Sequence, residues 1–180
     1  SIGPNIASSI TLPARKSKRV EFPADLHPQL RTELEHQKIT GLYQHQLAAW
    51  EMVAGGNHTA IVTGTASGKT LAYTLPILDE AYKNPHSRAL LLFPSKALAH
   101  DQLTALRSVF NPQAAAYDGD TPKHHRQSIR KTVRLLVTNP DMLHLGILPH
   151  HTSWEQFFSR LKFVVLDEMH TYRGVFGSHV

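Results

Sequence analysis

The stretch "TGTASGKT", Thr63 to Thr70, lies between the apolar run "TAIV" and the amphipathic run "LAYTLPILDEAY". Glycines, small hydroxyl residues and a single lysine, set where a strand hands over to a helix, suit the capture of a phosphate group. Such a group needs several donors converging on it together with positive charge. The backbone N–H groups of a tight loop and of a helix N-terminus supply the donors. Thr65, Ala66, Ser67 and Gly68 form that cradle here, and Gly68 lets the backbone approach closely because it has no Cβ. Lys69 can reach the β- and γ-phosphates of a nucleotide, and the Thr70 hydroxyl can ligate Mg²⁺. The general pattern opens with glycine, whereas this chain has Thr63 in that place. The expected ligand is a nucleoside triphosphate with Mg²⁺.

A second stretch, "FVVLDEMH", supplies the complementary chemistry. Its apolar residues push two adjacent carboxylates, Asp167 and Glu168, to the end of a strand. Acids in that position cost several kcal/mol each if left unpaired, so packing alone does not explain them. A metal ion does: Asp167 can hold Mg²⁺ through water, while Glu168 orients and deprotonates an attacking water. Exposed turn acids are the plain alternative. Together the two stretches point to nucleoside triphosphate hydrolysis.

For these groups to meet, the chain must deliver them to one rim. Short apolar segments at 59–63, 88–93, 114–118, 133–138 and 161–167 read as strands. Helical periods fill 68–83, 95–109, 121–131 and two shorter pieces near 140–146 and 153–160. Strands apolar throughout and separated by helices predict an α/β fold, a mostly parallel central sheet with helices on both faces. Ligands then sit at the carboxyl ends of the strands. Ahead of this core, Leu26, Leu30 and Leu34 recur on one helix face, and "HQLAAWEMVAGG" reads as a second helix stopped by Gly55 and Gly56. Pro76 predicts a kink or break within its helix.

Bulk properties narrow the class. The chain has 180 residues, 41% of them hydrophobic, with no cysteine and no apolar run long enough to span a membrane. Disulfides and thiolate metal sites are excluded, which fits a reducing, cytoplasmic setting, nucleoid-associated in a bacterium. The net charge is +5, but Arg15, Lys16, Lys18 and Arg19 account for four of those charges. Residues 1–21 therefore read as a flexible basic lead-in and 22–180 as a nearly neutral folded domain. Any nucleic acid it binds must be held by local placement of groups. The 13 histidines include the adjacent pairs His124-His125 and His150-His151, which splay apart on a helix and are expected at the surface rather than on a metal.

Taken in order, "TASGKT", "FPSKALAHDQ", "VTNPDMLH" and "LDEMHTY" resemble the first RecA-like domain of superfamily 2 helicases of the DExH kind. "LYQHQ", Leu42 to Gln46, resembles the glutamine motif that precedes the phosphate loop in them. With "DEMHTYRGVFGSHV", the likeness is to one branch, bacterial mitomycin-repair-type DNA helicases and their fungal RecQ-related relatives, over about residues 22–180. The resemblance implies ATP as the nucleotide, with Gln46 reading the adenine edge, an amide being both donor and acceptor. Tyr43 packs beside the base or simply in the core. Lys69, Thr70, Asp167 and Glu168 keep the roles above, and His170 couples the nucleotide site to a second domain.

The same resemblance assigns a nucleic-acid face, with single-stranded DNA as the partner. Pro94, Ser95 and Lys96 begin a turn that offers N–H groups, a hydroxyl and an ammonium to phosphates. Thr138 and Asn139 do likewise in "TNP", and Gly119 in "YDGD" allows close backbone approach. Such contacts grip the backbone and carry no base code. Ser95 as a plain helix cap is an equal alternative. Thr63, Ala66 and Asp141 depart from the commoner family residues, which places any contact by Asp141 in doubt. The resemblance also implies a second RecA-like domain in the complete protein, making this chain the front half of a motor, with weak nucleotide binding and little hydrolysis by itself. An RNA helicase, a non-hydrolysing nucleic-acid-binding module and a small-molecule phosphotransferase are the rival classes; Glu168 argues against the module and the "PSKALAHDQ" and "TNPD" turns against the phosphotransferase.

Overall fold

A computed structural model describes residues 19–62, 67–110 and 113–172. The ordered elements run β1 (Arg19–Val20), α1 (Pro28–His36), β2 (Leu42–Tyr43), α2 (Gln44–Ala54) and α3 (Lys69–Lys83). Then come β3 (Arg88–Leu92), α4 (Lys96–Phe110), β4 (Ala114–Ala116), α5 (Lys123–Thr132) and β5 (Leu135–Thr138). A short α6 (Pro140–Met142), a π turn at Leu143–Ile147, a 3₁₀ stretch at Leu148–Trp154 and α7 (Glu155–Phe158) lead to β6 (Leu161–Leu166).

Residues apolar at every position have no solvent face to offer, so they take the middle of the sheet. β3 and β5 are buried at every residue. The sheet order is β4-β5-β3-β6 and every pairing is parallel, with Leu91 opposite both Val137 and Val165. The pleat divides β3 between two cores. Ala89 and Leu91 face a cluster with Leu30, Leu34, Trp50, Leu75 and Leu103, contributed by α1 to α4. Leu90 and Leu92 face a second with Tyr117, Leu136, Ile147, Trp154 and Phe157. The expected fold class is the observed one.

Several local expectations change. The segment expected as a strand at 59–63 makes no ladder over Thr59–Val62, and Val62 is 92% exposed; Thr63 lies outside the described residues. A short apolar run becomes a strand only by pairing, and this one follows Gly56 at φ 78° without finding a partner. Correspondingly, β6 is an edge strand with alternating exposure, and its Val164 is 56% exposed. At the other end of the chain, Arg19 and Val20 fall inside the expected lead-in yet pair antiparallel with Tyr43 and Leu42. Val20 packs on the core and the Arg19 guanidinium lies over the Tyr43 ring. Residues 1–18 lie outside the described residues. Pro76 does not break its helix, since α3 runs unbroken from Lys69 to Lys83. Among the described residues no helix is long and apolar enough to cross a membrane.

The helices that carry the rim are tied down by one buried acid. Asp79, 5% exposed, accepts from the His27 N–H at 2.8 Å, the Trp50 indole at 3.2 Å and the Lys83 ammonium at 2.7 Å. It thus joins the start of α1, the middle of α2 and α3 itself. Asp79→Ala strips all of these donors of their acceptor and should lower the unfolding free energy by roughly 3 kcal/mol, read by urea melting. Asp79→Asn, which keeps an acceptor oxygen, should lose less; equal midpoints for wild type and Asp79→Ala would show that the acid fastens nothing.

Candidate functional site

Helix α3 starts at Gly68, whose φ of 78° and ψ of 29° are left-handed, a conformation open to glycine at little cost. A Cβ there would also stand 2.6 Å from Gln46 Nε2. The reason is a buried tie: Gln46, 3% exposed, donates from Nε2 to the Gly68 carbonyl at 2.9 Å and accepts the Tyr43 N–H on Oε1 at 2.8 Å. In this structure the amide expected to face an adenine is instead spanned between two backbone groups. The clasp brings the first turn of α2 against the entry to α3. Ser67, Lys69 and Thr70 are half-buried in that entry, while Thr65 and Ala66 lie outside the described residues.

At the far end of β6 the Asp167 N–H bonds to the Leu92 carbonyl at 3.0 Å, carrying the β3 pairing one residue further. The Asp167 carboxylate accepts the Glu168 N–H on Oδ1 at 2.8 Å and the Tyr73 hydroxyl on Oδ2 at 3.4 Å. Tyr73 lies one turn along α3 from Thr70. Segments nearly a hundred residues apart in sequence therefore meet at one rim. Burial first, then the Asp167 charge, push the Tyr73 phenol far above its usual range, so it stays protonated and donates. Tyr172, whose hydroxyl reaches the Leu92 carbonyl at 3.4 Å, is pushed up to about 12 by burial and then by the charges of Asp167 and Glu168.

Glu168 adopts φ 51°, a left-handed backbone for a residue with a side chain. Its Oε2 lies 3.2 Å from His170 Nδ1, and its carbonyl accepts the Thr171 hydroxyl at 2.8 Å. Among the described residues Asp167 makes no ion pair and no cluster of three or more His, Asp or Glu side chains could cage a metal. A strand-end carboxylate that meets the helix carrying Thr70 fits Mg²⁺, which keeps most of its waters and takes few protein ligands beside substrate phosphates.

The expected nucleic-acid residues divide. Pro94 is half-buried, and Ser95, Lys96 and Gly119 are exposed on the same rim. The Ser95 hydroxyl accepts the Leu98 N–H at 3.3 Å, so it does cap α4. Lys96 Nζ lies 3.0 Å from Asp120 Oδ2, and a Cβ on Gly119 would stand 3.3 Å from that ammonium. Thr138 and Asn139, by contrast, are 1% and 8% exposed. The Thr138 hydroxyl donates to the Tyr117 carbonyl at 2.6 Å and Asn139 Oδ1 accepts the Met142 N–H at 2.8 Å, so both side chains serve the turn and do not face outward.

Sequence reasoning passed over Tyr73 and the His100–Asp118 pair. Tyr73 is i+3 from Thr70, which puts both on one helix face, but its partner comes from the distant β6. Asp118, 4% exposed, bonds to His100 Nε2 at 2.7 Å, to the Asp120 N–H at 2.9 Å and to the Thr121 hydroxyl at 3.3 Å. This fixes the Gly119 turn against α4.

Both motifs gathered on one rim of a parallel sheet place the chain among the RecA-like α/β domains. It belongs to the DEAD/DEAH box helicase family, whose model matches residues 43–180. Relatives include the uncharacterized ATP-dependent helicase YprA of Bacillus subtilis, 44% identical across 98% of this chain and 24% of that protein. The ATP-dependent helicase HRQ1 of Saccharomyces cerevisiae is 40% identical across 97% of this chain and 17% of its own length. The crystal structure of the DUF1998 helicase MrfA bound to DNA and AMPPNP superimposes with a TM-score of 0.88 at 45% identity, covering 92% of this chain and 24% of that one. The resemblance drawn from the motifs holds down to the branch. The chain spans a quarter or less of the length of these relatives.

Burial alone would raise the Asp118 carboxyl, but the bonds from His100, the Asp120 N–H and Thr121 outweigh it and hold the group below its usual range. A folded-state value below the unfolded one means that the stabilisation is complete above about pH 4 and is lost as pH falls through the folded value. The urea midpoint should therefore drop below about pH 4 less steeply in Asp118→Asn than in wild type. Identical acid limbs would show that the pair contributes nothing.

Proposed function

We propose that residues 22–180, preceded by a basic lead-in at 1–21, are the first RecA-like, ATP-binding half of an ATP-dependent helicase that moves on single-stranded DNA in DNA repair. The observation that carries this is the meeting of α3, one turn past Thr70, with Asp167 at the carboxyl rim through the Tyr73 hydroxyl. In this reading the lysine, hydroxyl and acids of a triphosphatase share that rim. The similar MrfA helicase was crystallised bound to DNA, which supports the choice of nucleic acid.

In this reading Thr65, Ala66, Ser67 and Gly68 wrap the phosphates with N–H groups, and Lys69 places its ammonium against the β- and γ-phosphates. Thr70 and Asp167 would hold Mg²⁺, which supplies charge neutralisation between the phosphate oxygens. Glu168 orients a water in line with the γ-phosphorus and takes its proton as the bond to the β-phosphate oxygen breaks, giving ADP and phosphate. His170, 3.2 Å from Glu168 Oε2, fixes that carboxylate and links it to the neighbouring domain. Gln46 positions the start of α3 and, in the complete protein, serves the adenine as well. Ser95, Lys96, Gly119 and the backbone at Thr138 and Asn139 grip the phosphates of the strand. A second RecA-like domain supplies the arginines that stabilise the transferring phosphoryl, so the 180-residue chain alone binds nucleotide weakly and unwinds nothing.

The deciding experiment is ATPase of the complete protein, stimulated in parallel by single-stranded DNA and by RNA at fixed salt. DNA stimulation is expected; stimulation by RNA alone would replace DNA with RNA in this reading. Glu168→Gln should keep ATP binding and lose at least about a hundredfold in turnover. Unchanged turnover would remove Glu168 from the chemistry.

A further inference from the structure

We infer that His100 is a positioning residue for the nucleic-acid face, its imidazole fastening the first turns of α4 to the Gly119 turn so that Ser95, Lys96 and Gly119 present one rigid surface to a phosphate chain. The inference rests on the strand-binding reading above and deepens it, because no contact with nucleic acid is asked of His100.

Side-chain contacts join α4 to this turn at neighbouring points. Lys96 Nζ lies 3.0 Å from Asp120 Oδ2, and one helical turn later His100 Nε2 lies 2.7 Å from Asp118 Oδ2. Residues four apart stand on the same helix face, so the two contacts lie side by side. They differ in what they can bear. The Lys96 and Asp120 side chains are both exposed, and a solvated pair of that kind holds little. Lys96 is also the cation that a phosphate would claim, so it cannot hold the turn once a strand is bound. Asp118 is buried and forms the fixed point of the turn. Its Oδ1 accepts the Asp120 N–H at 2.9 Å and the Thr121 hydroxyl at 3.3 Å, and its own N–H donates to Thr121 Oγ1 at 2.9 Å. The other oxygen meets His100. A carboxylate only accepts, so the imidazole gives its Nε2 proton to this bond whether the ring is neutral or charged.

The fastenings on either side leave the spacing between the two turns to His100. Arg126 of α5 donates to the Thr121 carbonyl at 3.0 Å and to the Gly119 carbonyl at 3.3 Å, which ties the turn to α5. Arg107 donates to the Ala114 carbonyl at 2.9 Å, but it sits two turns beyond His100, toward the far end of α4. The fit at the near end is close, since a Cβ on Gly119 would stand 3.3 Å from the Lys96 ammonium. The His100 side chain is 56% exposed, so the core does not require it.

Stimulation of ATPase by a single-stranded thymidine oligonucleotide, in the complete protein at fixed salt, tests this. His100→Ala suits an exposed helical position and keeps the helix. The oligonucleotide concentration giving half-maximal stimulation should rise about tenfold in that variant, while the rate at saturation is kept. His100→Gln, whose amide offers an N–H in place of the imidazole, should stay within about threefold of wild type. A half-maximal concentration in His100→Ala equal to that of wild type would overturn the inference. So would a loss that His100→Gln fails to recover, because the N–H bond would then not be its cause. A fall in the saturated rate with no change in the half-maximal concentration would overturn it too. Wild-type protein that the oligonucleotide does not stimulate would overturn the strand-binding reading itself, and this inference with it.

Discussion

β3 is the constraint on which everything else depends. It is buried at every residue and hydrogen-bonded on both sides, to β5 and to β6, always parallel. Parallel pairing forces the three strands to end on the same rim. The residues that follow them are therefore brought together whatever their separation in sequence: Pro94 to Lys96 after β3, Asn139 after β5, Asp167 and Glu168 after β6. The backbone bond from Asp167 to the Leu92 carbonyl and that from Phe93 to the Thr138 carbonyl show the ladder reaching into these turns. Chemistry at the rim inherits its geometry from apolar side chains that never touch a ligand.

Most of the polar residues at this rim are engaged with the protein's own backbone. Gln46 clasps Tyr43 and Gly68, Thr138 holds Tyr117, Asn139 caps the turn after β5 and Ser95 caps α4. Satisfying these groups internally avoids the cost of leaving a buried polar atom bare. It also stiffens the turns so that backbone N–H groups are held in fixed directions. A phosphate chain can be gripped by such groups with few cations, which agrees with a folded region of nearly zero net charge once the basic residues at 15–19 are set aside. The exposed lysine of this set, Lys96, has its own counter-charge in Asp120.

What could be read from the sequence was whatever depends on local pattern. β3 and β5 were legible because "RALLLF" and "VRLLVT" offer no polar face, and α3 was legible because its glycine and its apolar period bracket it. The segment Thr59–Val62 was not, because strand formation needs a partner edge that no local pattern supplies. Among the site residues, the acid pair stood out through its setting after apolar residues. Gln46 and Thr138 were legible as motif members but not as buried ties, since burial is decided by what packs over them. Tyr73 looked like one more apolar position of an amphipathic helix; its hydroxyl gains meaning only from the end of β6, far along the chain.

The end of β6 shows how a strand is made to stop for a purpose. Continuing extended backbone past Asp167 would send Glu168 to the opposite face of the sheet. Instead Glu168 takes φ 51° and ψ 44°, and a 3₁₀ turn over Met169–Thr171 follows at once. A side-chain-bearing residue in that region costs about 1–2 kcal/mol, and glycine would remove the cost. Glycine would also remove the carboxylate that meets His170, so the strain is intelligible as the condition for keeping an acid at the bend. Local bonds hold the bend: the Glu168 N–H to Asp167 Oδ1, the Thr171 hydroxyl to the Glu168 carbonyl, and Tyr172 back to Leu92. Because Tyr172 returns to β3, the acid pair is braced on the same strand that aligns the rest of the rim.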